Sequence, residues 1–138
     1  MRLKDTEFLV LYTIFMTPNI GVNQLYRRLK GKISKAFLIK LLRELSQAGL
    51  IKEVKDPFHK QKVRLLIKED LQQVAKDLLE RMQGAAYENL AERMSAALSV
   101  YRRAVSKVNK PLFVDFLKKL LLKEIADALE SVRSGKPK

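Results

Sequence analysis

The side chains in this sequence that could act on a partner are mostly cations. Among 138 residues, 28 are Lys or Arg against 15 Asp or Glu, a net charge of +13. They are gathered in one half: 15 Lys+Arg stand against 5 Asp+Glu in residues 1–68, and 13 against 10 in residues 69–138. The first group is Arg27, Arg28, Lys30 and Lys32, the second Lys35, Lys40 and Arg43, the third Lys55, His59, Lys60, Lys62 and Arg64. Such groups bind polyanions, meaning nucleic acid or an acidic membrane surface. The plain alternative is an ordinary solvated face. Covalent chemistry lacks its parts. The sequence has no cysteine, so no thiolate is available, and its single histidine, His59, stands in the sequence beside no evident nucleophile. A glycine-rich phosphate loop and a metal-ligand cluster are both missing. The expectation is therefore no enzyme, no catalytic residue, no metal and no cofactor, with His59 an ordinary loop residue.

The elements that must hold these cations follow from apolar spacing and from the breaks. Asp5 reads as the cap of a helix reaching about residue 16, with Phe8, Leu11, Tyr12 and Phe15 on one face. Pro18 ends it. A short helix over about 22–29 closes at Gly31, which suits a left-handed turn. Ser34 caps a third helix whose Leu38, Leu41, Leu42 and Leu45 share a face and which stops at Gly49. Strands are predicted over about 50–55 and 62–67, turned at Asp56-Pro57, with Val63, Leu65 and Ile67 alternating toward one side. The aromatic residues mostly keep helical spacing and read as core. No run approaches the ~20 apolar residues of a membrane span, and the opening "FLVLYTIFM" is short and preceded by Asp5 and Glu7, a poor leader.

Helix, short helix, tight turn, capped helix and two-stranded wing, spelled by "NQLYRRLKGKISKAFLIKLLRELSQAGLIKEVKDPFHKQKVRLLI", resemble the winged helix-turn-helix proteins. Within them the chain resembles the MarR and PadR families of dimeric transcription regulators. The helix ending in "L-x-x-x-GLI" before a basic wing containing "DP" is the specific part, and about residues 5–68 are covered. The resemblance implies a mainly α fold with a small β-hairpin, in which the third helix enters the major groove of duplex DNA and the wing touches the backbone or minor groove. The DNA-binding set is then Gln24, Arg27, Arg28, Lys30, Lys32, Ser34, Lys35, Ala36, Ile39, Lys40, Arg43, Lys55, His59, Lys60, Lys62 and Arg64. Lys40 and Arg43 suit guanine by residue type and Gln24 adenine; the remaining polar and basic residues suit phosphate, and the apolar Ala36 and Ile39 can meet a thymine methyl or another protein. Ala36, Phe37 and Ile39 depart from the Ser or Thr that such regulators often carry there.

Residues 69–138 read as a separate helical region, with helices over about 69–82, 85–108 and 111–133. Leu71, Val74, Leu78 and Met82 stripe the first. Tyr87, Leu90, Met94, Ala97, Tyr101, Ala104 and Val108 stripe the second at coiled-coil-like spacing. The last is apolar over a broad arc: Phe113, Phe116, Leu117, Leu120 and Leu121, extended by Leu122, Ile125, Leu129 and Val132. One partner needs a narrower stripe. A homodimer is expected, with Tyr87, Leu90, Met94, Tyr101, Phe113, Phe116, Leu117, Leu120, Leu121, Ile125 and Leu129 at its interface; a self-contained monomeric bundle is the alternative. The expected setting is cytoplasmic and nucleoid-associated, and no effector is specified. Two other readings stay open: an architectural DNA-binding protein, as in chromatin, plasmid or mobile-element maintenance, and a winged-helix protein-interaction module.

Overall fold

The computed structural model describes residues 3–55, 58 and 63–133. The chain divides into two compact units, one over residues 3–72 and the other from residue 73 onward.

The first unit begins with α1 (Asp5–Met16), followed by a two-residue strand β1 (Ile20–Gly21) and the short helix α2 (Val22–Arg28). Then come α3 (Lys35–Gln47), β2 (Ile51–Lys55), β3 (Val63–Ile67) and the start of α4 (Glu69–Met82), the helix in which the division falls. This is a winged helix-turn-helix. The sequence predicts two strands; the structure has three, in the order β1-β3-β2, all antiparallel. β1 is too short to carry a period, so only its partner reveals it. Asn19 takes a positive φ of 68° and donates its amide to the Leu65 carbonyl, turning the chain after Pro18 so that Ile20 lies opposite Leu65. The wing is thus not a free hairpin, which would be marginal in water. Its middle strand is clamped on both sides, and Ile20, Ile51, Leu65 and Ile67 are buried.

Helix α3 is fixed at both ends by its own sequence. Ser34 Oγ accepts the amide of Phe37 at 3.2 Å, the expected N-cap. At the other end Gly49 takes a φ of 78°. Its amide donates to the Ser46 carbonyl, and the Leu50 amide donates to the Leu45 carbonyl, both at 3.0 Å. That pair of bonds is the Schellman ending, and the buried Leu45 and Leu50 provide the apolar contact that accompanies it. The "GLI" signature is therefore a helix stop that aims the chain directly into β2. Leu38, Leu41, Leu42 and Leu45 are all buried, as their spacing predicts.

Two details of α1 differ from expectation. Asp5 is not the cap; Lys4 is, and its amide donates to the Glu7 carboxylate at 2.7 Å. The buried face is Val10, Leu11, Ile14 and Phe15, while Phe8 and Tyr12 are half-buried with their rings stacked 5.7 Å apart. This helix is apolar nearly all round, so its own sequence cannot say which side turns inward.

The second unit holds the rest of α4, α5 (Leu90–Lys107) and α6 (Pro111–Arg133). A single continuous helix over about 85–108 is not what forms. Gly84 takes a φ of 76°, and a 3-10 turn over Tyr87–Asn89 precedes α5. Asn89 builds that break: its Oδ1 accepts the Ala86 amide at 2.7 Å and its Nδ2 donates to the Gly84 carbonyl at 3.3 Å. Where α5 packs on α6 its buried side is small, Ala97, Val100 and Ala104, and α6 supplies the bulk with Phe113, Phe116, Leu117 and Leu120. Small residues on one helix let large ones on the other fill the space at interior density. Among the described residues no helix is long and apolar enough to cross a membrane.

Candidate nucleic-acid interface

The four inward leucines dictate what α3 shows to solvent. Successive residues turn by about 100° around a helix. Ala36, Lys40, Arg43 and Gln47 therefore form the stripe most directly opposite the leucines, and all four are exposed. Ile39 and Phe37 flank that stripe, on opposite sides, and remain 44% and 42% exposed. Ile39 lies one turn from both Lys35 and Arg43, whereas Glu44 stands two turns below Phe37. The Ile39 flank is thus the more cationic.

Around this helix the other predicted cations are exposed too. Arg27 and Arg28 end α2, and Lys30 and Lys32 lie on the turn where Gly31 takes a φ of 89°. That turn is closed by the Lys32 amide donating to the Leu29 carbonyl at 2.9 Å, which leaves both lysine side chains in solvent. Lys35 stands at the start of α3, where amides without helical acceptors favour anions. On the wing, Lys55 lies opposite Val63, and Arg64 opposite Val54; Lys55 and Arg64 are both exposed. His59, Lys60 and Lys62, together with the predicted turn at Asp56-Pro57, lie outside the described residues.

Besides Ser34, whose Oγ caps α3, two more of the predicted residues have local employment. Gln24 Oε1 accepts the Gly21 amide at 3.1 Å, capping α2. The three-residue spacing from Gly21 to Gln24 is the signal for this, and it competes with adenine reading. Arg28 Nη1 donates to Thr17 Oγ1 at 2.8 Å, which anchors its head near the end of α1. Gln47 extends the α3 stripe and was recoverable from its spacing of four beyond Arg43. At the base of the wing Lys52 pairs with Glu69. Their hydrogen bond holds the Glu69 carboxyl below the ordinary carboxylate range, a pairing between a strand and a later helix that periodicity does not disclose.

In the second unit the predicted interface residues divide. Phe113, Phe116, Leu117, Leu120 and Leu121 are buried within the single chain, while Leu90, Met94, Tyr101 and Ile125 are half-buried. The side chains of Tyr87 and Val132 are outside the described set. What stays in solvent is a second stripe: Leu122 and Leu129 on α6, 53% and 51% exposed, with Leu98 and Val105 on α5, 44% and 50%. At the corner between these helices Tyr101, Val105, Val114 and Lys118 line an open cleft of about 520 Å³. Of the four apolar residues of the stripe, Val105 lines the cleft. Among the described residues no group of three or more His, Cys, Asp or Glu side chains is placed to hold a metal.

The class defined by this geometry is a winged helix with a cationic helix-turn-helix face, joined to a helical unit with an exposed apolar stripe. No protein-family model matches the chain, and no curated protein matches it. Solved structures similar to it include a MarR protein from Peptoclostridium difficile, 22% identical over 84% of this chain and 74% of that one, TM-score 0.47. Another is the transcriptional regulator SlyA, 16% identical over 96% and 75%, TM-score 0.48. A third is FabT of Streptococcus pneumoniae, solved in complex with DNA, 16% identical over 75% and 77%, TM-score 0.47. Likeness this distant says nothing of activity, which has to be read from the surface itself.

Proposed function

We propose that this protein binds duplex DNA as a homodimeric transcription regulator. The reading has α3 in the major groove, the α2–α3 turn on the flanking phosphates and the wing on the backbone or minor groove. One observation carries it: α3 commits all four leucines to the core and leaves Lys40 and Arg43 outward, between a basic turn and a basic wing. A helix about 10–12 Å across suits a major groove of about the same width. Lys40 and Arg43 are the base-reading candidates; Arg27, Lys30, Lys32, Lys35, Lys55 and Arg64 suit phosphate. Leu98, Val105, Leu122 and Leu129 supply the apolar stripe for a second copy. Two-fold dimers of this kind read half-sites about 34 Å apart, or multiples of it.

The test is fluorescence anisotropy with duplexes selected from a random pool, titrated with salt. If 6–10 phosphates are neutralised, affinity should fall by roughly 10³–10⁵ between 50 and 200 mM salt. Lys40→Ala with Arg43→Ala should remove the preference for selected over random duplex. Binding and preference that both survive that double change would show that α3 is not the reader. A second reading, a DNA-coating protein without operator preference, draws on the apolar Ala36, Phe37 and Ile39 of the same face. Footprinting against random competitor separates the two, since a discrete protected site belongs to a regulator and uniform protection to a coat.

A further inference from the structure

Ile39 is an odd residue for an exposed helical position. Branching at Cβ costs it rotamer freedom in a helix, and Lys, Glu or Ala would form the helix better. It nevertheless stands 44% exposed on the helix whose opposite face is sealed by leucines. Its neighbours one turn away on either side are Lys35 and Arg43, both exposed. The small Ala36 lies on the adjacent outermost stripe, so nothing bulky keeps the first turns of the helix from approaching a partner closely. An apolar group ringed by cations asks for a partner that is anionic around its edges and apolar at one spot within.

The major groove of B-form DNA meets that description at one base. Guanine, cytosine and adenine present hydrogen-bonding atoms there, whereas thymine adds a C5-methyl group. The A-form groove of duplex RNA is too narrow and deep for a helix to enter. We infer that Ile39 is a specificity-determining residue that selects thymine by covering its C5-methyl, while Lys40 and Arg43 take adjacent hydrogen-bonding edges or phosphates. Phe37, on the other flank, is the weaker reader because Glu44 on its side repels the phosphate backbone. The inference rests on the proposed DNA-binding reading and adds to it a base and an atom.

The experiment isolates that atom. A duplex selected by the full chain is made twice, once with thymine and once with deoxyuridine in the protected site; the two differ only in the methyl groups. Wild-type protein should lose about fourfold in affinity per covered methyl, the worth of one buried methyl-sized group. Ile39→Ala should bind the two duplexes alike, with an unchanged circular dichroism spectrum. Equal binding of both duplexes by the wild type overturns the inference and leaves DNA binding standing; Ile39 would then face a protein. A full methyl preference retained by Ile39→Ala also overturns it, because another residue would be the reader. Failure to bind either duplex at low salt overturns the DNA-binding reading and this inference with it.

Discussion

At the scale of single residues, several side chains have one structural task that limits any other. Ser34 closes the first turn of α3, Gln24 closes that of α2, and Arg28 is tied to Thr17. Glu69 shows how such a pairing appears in solution. Its carboxyl is held below the ordinary value of 4.5 by the hydrogen bond from Lys52. A carboxyl depressed on folding stabilises the fold above its unfolded pKa and loses that contribution as pH falls through its folded one. Stability should therefore drop slightly below about pH 4.5 on this account, and Glu69→Gln should flatten that part of the profile. The effect is small, because Glu69 is largely in solvent and exposed pairs contribute little. Chemical denaturation of both proteins at pH 3.5 and pH 6 is the check; equal slopes against pH would deny the pair any part in stability.

At the scale of elements, the proposed function divides the labour between the wing and α3. The wing is stiffened by β1 on one side of β3 and β2 on the other, and its cations extend from a rigid base. Contacts to phosphate carry no sequence information, while contacts to base edges do. Lys55→Ala with Arg64→Ala should accordingly weaken binding to every duplex alike. For a dimer on its site the slope of log affinity against log salt should shrink by about four, one for each of the two contacts removed per protomer. A change in sequence preference instead would mean that the wing reads bases. Much of this was legible beforehand. The α3 leucines, the Ser34 cap and the Gly49 stop each combine a strong residue type with a fixed spacing, and each fell where predicted. β1, the break before α5 and the inward face of α1 were not legible. A two-residue strand has no period, Asn89 looks like an ordinary polar residue, and an all-round apolar helix leaves its orientation to its neighbours.

At the scale of the molecule, the exposed apolar stripe of the second unit decides what to test. Leu122, Leu129, Leu98 and Val105 are each about half in solvent. Covering a Leu fully contributes ~1.5–3 kcal/mol, and these side chains are already about half buried, so in the proposed dimer each would contribute about half of that against the cost of association. Leu122→Glu with Leu129→Glu should shift sedimentation from dimer to monomer. The helical signal should stay nearly unchanged, since neither side chain belongs to the buried set. DNA affinity should fall at the same time, because a dimer's two readers act on one duplex at high effective concentration. A wild-type protein that sediments as a monomer at micromolar concentration would remove the dimer from the account.

The sequence by itself determined the order of the six helices and the two long wing strands, the leucine face of α3 and the crowding of cations into residues 1–68. These depend on local spacing, capping and charge, and local rules suffice to read them. Only the tertiary structure decided which apolar face is used up within one chain. On α6 the sequence offers one broad arc, Phe113 to Leu129, and nothing local distinguishes its two sides. The packed chain does: the phenylalanines and Leu117, Leu120 and Leu121 are buried, while Leu122 and Leu129 are left in water. The reason is physical. Burial is a property of the space between elements, and a helix's own residues carry no record of what will lie beside them.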